Sequence, residues 1–162
     1  MTMDPSGRER YLVDRLRRLR TACIVLAATV LLYAIVGWFL IEGFQLRPFG
    51  KVPEALPLSM TFFAAVLILL ASRLRSGILR GGLPSIRGIP TDLGNLVSAY
   101  QRATLVSFAI LEFAALIGLL VALLSGSSFY GVVLCVASFL SMLLRWPNAR
   151  EVDRLARGRL SP

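Results

Sequence analysis

The sequence predicts an all-α fold: an integral membrane protein built as an antiparallel four-helix bundle, with the N- and C-termini in the cytoplasm. Hydrophobic residues make up 56% of the 162 positions, which exceeds the roughly 45–50% of an average soluble protein. They are gathered into four blocks, and nearly all of the cations lie on alternate segments between these blocks. A chain of this length has room for one domain, residues 1–162.

Each apolar block is predicted to be a membrane-spanning helix, and the spans cover about residues 22–41, 56–72, 103–124 and 129–144. The first block has no charged residue in twenty positions, about the number that an α-helix needs to cross a hydrocarbon core of roughly 30 Å. The third block contains a single charged residue, Glu112. The connection between the third and fourth blocks is so short that these two helices must be antiparallel neighbours.

Three basic segments flank the spans. Segment 8–20 has leucines at helical spacing and arginines at many of the other positions. Either it forms an amphipathic helix on the cytoplasmic surface, held by anionic lipid headgroups, or it is a charged lead-in that only sets the orientation. Segment 73–102 is predicted to be a cytoplasmic loop up to Pro90, and then an amphipathic helix that runs into the third span. The basic tail, 145–162, is predicted to form a short surface helix.

The distribution of the cations predicts the orientation. The three basic segments carry sixteen of the eighteen Lys and Arg residues, whereas the connection between the first two spans carries only Arg47 and Lys51. Cytoplasmic connections of membrane proteins are enriched in Lys and Arg, so both termini and segment 73–102 are predicted to lie in the cytoplasm. All cations except Lys51 are Arg, which is typical of a GC-rich bacterial genome, and we expect a bacterial inner (plasma) membrane.

Several classes of function are not expected. The chain has no His, which excludes His-based metal sites, catalytic triads and pH switches. The net charge of +9 would suggest nucleic acid in a soluble protein, but here the charge lies between apolar blocks, so no nucleic-acid partner is expected. Cys23 and Cys135 fall inside apolar blocks and are predicted to be buried free thiols. No motif for a cofactor, a metal ion or a catalytic site is present, and we expect a protein that is not an enzyme.

Glu112 is the most informative residue of the chain. It follows Arg102 by ten positions, which is about 15 Å along a helix and half of a roughly 30 Å hydrocarbon core. An ionised acid at the membrane midplane costs about 2.5–3.5 kcal/mol on insertion scales, so the neutral, protonated form is expected. On a helical wheel the acid borders small residues, including Thr104, Ala115 and Gly118, and is therefore expected to face another helix.

Two interpretations of Glu112 are open. One is a site that binds and releases a proton or a cation. The other is a protonated acid that hydrogen-bonds a hydroxyl group of a neighbouring helix and fixes the packing. The candidate hydrogen-bond partners are Ser138, Ser141, Thr29 and Tyr33.

The arginines at the cytoplasmic ends of the spans are predicted to be orientation anchors, and they are also candidates for contact with lipid headgroups. They are Arg20, Arg73, Arg102 and Arg145. The expected partners are therefore the lipid bilayer and its anionic headgroups.

Small residues recur along two further spans. Gly131, Cys135 and Ser138 form such a face on the fourth span, and Ala27, Ala34 and Gly37 form one on the first. Faces of this kind let transmembrane helices approach closely. The first hypothesis is therefore a non-enzymatic subunit that packs as a homo-oligomer or within a larger membrane complex. The alternative is a proton- or cation-coupled transporter, or a proteolipid-like element, that uses Glu112.

Two resemblances accompany these patterns. The segments A-Y-Q-R-A (99–103), A-I-L-E-F-A-A-L-I-G-L-L (109–120) and R-W-P-N-A-R-E (145–151) resemble a widespread family of uncharacterised bacterial four-span membrane proteins, which implies the same four-span fold. Over about twenty residues, the Glu112 helix also resembles the ion-binding helix of the proteolipid (c-type) subunits of rotary ATPases. That second resemblance implies a protonatable carboxylate in the middle of the membrane.

Overall fold

The structure, a computed structural model, describes residues 5–44, 53, 55–81 and 93–152, and every element in these ranges is helical. Helix α1 (Pro5–Trp38) ends in a π-helical turn, Phe39–Gly43. Helices α2 (Ala55–Gly81), α3 (Leu93–Ser125) and α4 (Ser128–Leu144) follow. The predicted all-α class is confirmed.

Three stretches are long and apolar enough to cross a membrane: Val13–Gly43, Ala55–Leu79 and Gly94–Ser125. The apolar helix α4 is shorter, with 17 residues. Large hydrophobic side chains cover the outside of the molecule, and Phe62 and Leu69 are 72% and 71% exposed. A single soluble domain does not normally expose an apolar surface of this extent to water. The helices therefore indicate a multi-pass membrane protein.

Helix α3 is the centre of the fold, because it packs against each of the other three helices. Its buried side chains, among them Phe108 and Leu111, join a core that includes Cys23 and Val30 of α1. A second cluster brings Ala64 of α2 against another part of α3. Since α3 is covered on several sides, the functional groups that it carries are the ones most constrained by neighbours.

Helices α3 and α4 approach each other closely just before and after the turn that joins them. Gly126 in this turn has a φ of 64°, a conformation that glycine adopts without strain. A Cβ atom built on Gly131 would lie 2.6 Å from the Ala122 Cβ and 2.9 Å from the Gly118 carbonyl oxygen. Only glycine leaves room for this contact. The face of small residues predicted on α4 therefore packs against another helix of the same chain.

The N-terminal basic segment is not a separate surface helix, because α1 runs without a break from Pro5 to Trp38. Leu16 and Leu19 are 6% and 3% exposed and belong to the same core cluster as Val97 and Tyr100 of α3. Contact between the arginines of this segment and anionic lipid headgroups stays a prediction, but Leu16 and Leu19 of the apolar stripe face protein. The reason is that the stripe continues in register with the buried face of the span that follows it.

The predicted loop after the second span also begins later than expected, because α2 continues through Arg73 and Arg75 to Gly81. Arginine is a good helix former, and a helix that leaves the hydrocarbon core can carry it without breaking. Residues 82–92 of the predicted loop lie outside the described residues. Helix α3 begins at Leu93 and continues through Arg102 into its apolar part.

The first residues of the tail, 145–152, pack against the bundle. Residues 145–148 form a turn, residues 149–152 are helical, and Pro147 and Val152 are buried against the bundle. Residues 153–162, which include most of the predicted surface helix, lie outside the described residues. The first part of the tail therefore contributes side chains to the packed end of the molecule.

Candidate functional site

Glu112 lies at the edge of the packed face of α3. It is half-buried, between Leu111, which is fully buried, and Phe113, which is 52% exposed. The Tyr33 hydroxyl of α1 donates a hydrogen bond to the Glu112 Oε1 atom at 3.5 Å, the long limit for such a bond. The acid is thus positioned at the seam between α1 and α3, beside the lipid-facing surface.

The other three candidate partners do not hydrogen-bond Glu112. The Thr29 hydroxyl donates to the Val25 carbonyl of its own helix at 3.0 Å. Ser138 is fully buried, and its hydroxyl has no hydrogen-bond partner among the described residues. Ser141 is half-buried on α4. Of the four candidates, Tyr33 is the one that hydrogen-bonds Glu112.

An open groove of about 160 Å³ begins at Tyr33 and runs between α1, α3 and α4. It is lined by Tyr33, Ala34, Gly37, Trp38, Leu119, Ala122, Ser128, Gly131 and Val132. At its far end the Ser128 hydroxyl donates to the Glu42 Oε1 atom at 2.8 Å. Through its hydrogen bond to Tyr33, the Glu112 carboxyl group lies next to this groove.

A second polar cluster, which the sequence did not reveal, lies where α2 ends and α3 begins. Arg75 is 12% exposed, and its Nη2 atom donates to the Glu151 Oε2 atom at 2.7 Å. The Tyr100 hydroxyl donates to the same Glu151 oxygen at 2.8 Å. The Arg75 guanidinium also lies 5.6 Å from the centroid of the Tyr100 ring, within range of a cation–π interaction. The three residues bring together α2, α3 and the tail.

The turn after α4 explains how Glu151 reaches this cluster. Pro147 cannot continue the helix, and the Asn148 side chain accepts a hydrogen bond from the Arg150 backbone N–H at 3.1 Å, as an N-cap does. The short helix that begins here turns Glu151 back toward the bundle. The Tyr100 hydroxyl accepts a hydrogen bond from the Asn148 backbone N–H at 3.4 Å, which fixes the same turn to α3.

The arginines predicted to meet lipid headgroups have different surroundings. Arg73 and Arg102 are exposed. Arg20 is exposed too, but its Nε atom donates to the Pro147 carbonyl at 3.3 Å. Arg145 is half-buried, and its Nη1 atom is buried without a hydrogen-bond partner among the described residues. Burial, together with the positive charge of Arg75, lowers the pKa of Arg145.

Sequence reasoning missed Arg75, Tyr100 and Glu151 as a group. One signal was present: Glu151 is an acid within a tail whose other charges are mostly positive, and it closes the R-W-P-N-A-R-E segment. Glu151 and Arg75 are 76 positions apart, so their pairing follows from the packing of the helices and not from local pattern.

No protein-family model, curated protein or solved structure matches this chain.

Proposed function

We propose that the chain is a four-span protein of a bacterial inner membrane, folded as an antiparallel bundle with both termini in the cytoplasm, and that it serves as a non-enzymatic subunit of an oligomer or of a larger membrane complex. Helix α4 has 17 residues, or about 25 Å at 1.5 Å per residue, which spans most of a hydrocarbon core of roughly 30 Å. The long apolar helices beside it support a fourth crossing.

Contacts between helices support the antiparallel arrangement. Arg20, in the middle of α1 and just before its apolar part, contacts Pro147 after α4, and Glu42 after α1 contacts Ser128 at the start of α4. The N-terminal side of one helix therefore lies beside the C-terminal side of the other, so α1 and α4 are antiparallel. By the same reasoning, Gln101 bonds the Arg15 carbonyl and the Gly37 backbone lies against Leu119, so α1 and α3 run in the same direction.

The hydrogen bond between Tyr33 and Glu112 is the observation that carries a packing role for the acid. A carboxyl group that is hydrogen-bonded to a hydroxyl across the α1–α3 seam has a partner for one of its polar atoms, and the bond fixes how far one helix is rotated against the other. Glu112 is therefore proposed to stabilise the bundle.

Assembly is proposed through the faces that the bundle leaves exposed. The small residues at the α3–α4 contact and Gly37 are already packed within the chain, so these faces are not free for a second copy. Helix α2 is the least covered, since only 11% of its spanning window is buried. Lipid or another transmembrane helix would cover this apolar surface.

Substitutions at Glu112 test the packing role. Glu112→Gln keeps the shape and polarity of a protonated acid, and the free energy of unfolding should match that of the wild type. Glu112→Ala and Tyr33→Phe each remove the hydrogen bond and should lower it by about 0.6 kcal/mol, and by no more than roughly 1.7 kcal/mol. Unfolding in mixed micelles measures all three. A loss in Glu112→Gln as large as in Glu112→Ala would contradict the proposal.

A proton- or cation-coupled function is the second candidate, and one observation favours it. The Glu112 side chain is only half-buried, and the groove beside it runs from Tyr33 toward Glu42 and Ser128 at the opposite end of α1. A small outward movement of α1 would open a path from that end to the acid. Under this proposal, ionised Glu112 forms during each cycle.

Carbodiimide labelling separates the two functions, because the reagent attacks a protonated carboxyl group in apolar surroundings. An ion-coupled Glu112 should be labelled less as the pH rises, and Glu112→Gln should abolish both labelling and any proton flux into liposomes. Glu42→Gln is the matched control, since Glu42 is the exposed acid at the end of the groove. Labelling that does not change with pH, together with no proton flux, would exclude the second candidate.

A further inference from the structure

The cluster around Arg75 contains more buried donors than acceptors. The Nε atom of Arg75 and the Nη1 atom of Arg145 are both buried and have no hydrogen-bond partner among the described residues. A buried N–H group of a charged side chain that lacks a partner carries its full desolvation cost. Two such groups at one end of the bundle require an explanation.

The charges of the described residues in this cluster are also unbalanced. Glu151 is the acid that pairs with Arg75, and its Oε2 atom already accepts hydrogen bonds from both Arg75 and Tyr100. Arg145 lies close enough to Arg75 for the two positive charges to act on each other, and the effect on Arg145 is unfavourable. Among the described residues, Glu151 is the carboxylate bonded to this pair of arginines, through Arg75, so the described part of the cluster carries an excess positive charge.

We propose that Arg75 and Arg145 bind one phosphate group at this end of the bundle. Arginine presents planar N–H donors that fit the oxygens of a phosphate, and a phosphate supplies negative charge to balance the excess. The chain places Trp146 next to Arg145, and Trp is enriched at the membrane–water interface. The site would therefore lie at the depth of lipid headgroups, which rests on the membrane placement proposed above.

The phosphate has two sources, the headgroup of an anionic phospholipid or a free anion from the cytoplasm. Arg73 and Arg102 are exposed arginines near the same end, and they lack the buried donors that define the proposed site. They differ from Arg145 in burial but not in charge, which makes them matched controls for nonspecific attraction of anions.

The test uses the full-length protein in a neutral detergent, and the readout is the midpoint of thermal unfolding. Phosphatidylglycerol, phosphatidylcholine or inorganic phosphate is titrated into wild type, Arg145→Gln, Arg145→Lys and Arg73→Gln. A ligand that binds only the folded state raises the midpoint as its concentration rises. Native mass spectrometry of the same samples counts the phospholipid that stays bound.

Without added anion, Arg145→Gln should unfold at the same temperature as wild type or higher, since it removes a half-buried, unpaired charge. With anion, wild type should gain stability and Arg145→Gln should need roughly tenfold more ligand or greater for the same gain. Arg145→Lys keeps the charge without the planar donors and should fall between the two. Arg73→Gln should behave as wild type.

The two sources give different supporting results. Stabilisation by phosphatidylglycerol but not by inorganic phosphate, lost in Arg145→Gln, assigns the site to a lipid headgroup. Stabilisation by inorganic phosphate, lost in the same variant, assigns it to a free anion. The proposal is overturned if neither stabilises the wild type, if phosphatidylcholine acts as strongly as phosphatidylglycerol, or if Arg145→Gln and Arg73→Gln lose equal amounts.

Discussion

At the scale of single residues, the fold depends on a few positions where the side chain is smallest. Gly118 and Gly131 let the backbones of α3 and α4 touch, and a Cβ atom on Gly118 would lie 2.9 Å from the Leu134 Cβ. Gly77 of α2 is a glycine of the opposite kind, since a Cβ atom there would meet nothing within 4 Å. These positions allow the role of close packing to be separated from that of helix propensity.

Gly131→Ala should destabilise the protein by about 1–3 kcal/mol, because the new methyl group must push α4 away from the Gly118 carbonyl. Gly77→Ala should instead stabilise it by about 0.5–1 kcal/mol, because alanine loses less backbone entropy in a helix. Chemical unfolding in mixed micelles measures both. If the two variants shift stability in the same direction, the close contact between α3 and α4 does not limit the packing.

At the scale of elements, the short helix after α4 is tied to α2 and α3 through one carboxylate oxygen. The Glu151 Oε2 atom accepts hydrogen bonds from Arg75 at 2.7 Å and from Tyr100 at 2.8 Å. Burial of Val152 adds an apolar contact to the same turn. Residues 145–152 of the tail therefore form a clasp, a contact that ties α2 and α3 together through Glu151, and they are not a solvated extension.

A double-mutant cycle tests this clasp. Tyr100→Phe and Glu151→Gln should each lower the free energy of unfolding, and the double variant should lose less than the sum because both changes act on one group. We expect a coupling energy of about 0.5–3 kcal/mol. Glu42→Gln combined with Tyr100→Phe serves as the control, since Glu42 bonds Ser128 at a distance from the clasp. Strict additivity of Tyr100→Phe with Glu151→Gln would show that the carboxylate does not link them.

Helices and their apolar faces follow from sequence because hydropathy and helical period are local properties. The α-helical class could be predicted in this way, whereas Tyr33 was one of four hydroxyl residues expected near Glu112, and local pattern did not distinguish it from Ser138, Ser141 and Thr29. The end of α2 could not, because arginine, glycine and proline after Ser72 resemble a loop in composition although arginine itself favours a helix. The pairing of Arg75 with Glu151 depends on how four helices pack, and no local pattern specifies that.

At the scale of the whole molecule, charge and packing place the same groups at one end. The middle of α1, the last part of α2, the first part of α3 and the tail meet where Arg20 bonds Pro147, Arg75 bonds Glu151 and Tyr100 bonds Glu151. Most of the described arginines lie at this end, whereas the opposite end has the Glu42–Ser128 contact. This asymmetry is the physical basis for the proposed orientation, since positive charge is retained on the cytoplasmic side.

Cysteine labelling in spheroplasts tests the orientation. In a background of Cys23→Ala and Cys135→Ala, a membrane-impermeant maleimide should label Phe44→Cys in intact spheroplasts, because Phe44 lies at the proposed outer end and is 65% exposed. Asn95→Cys, also at an exposed position, should be labelled only after the membrane is permeabilised. Labelling of Asn95→Cys in intact spheroplasts, with Phe44→Cys protected, would mean that the bundle is inserted with the opposite orientation. Labelling of both positions would contradict the four-span arrangement itself, since it would place the two ends of the bundle on the same side of the membrane.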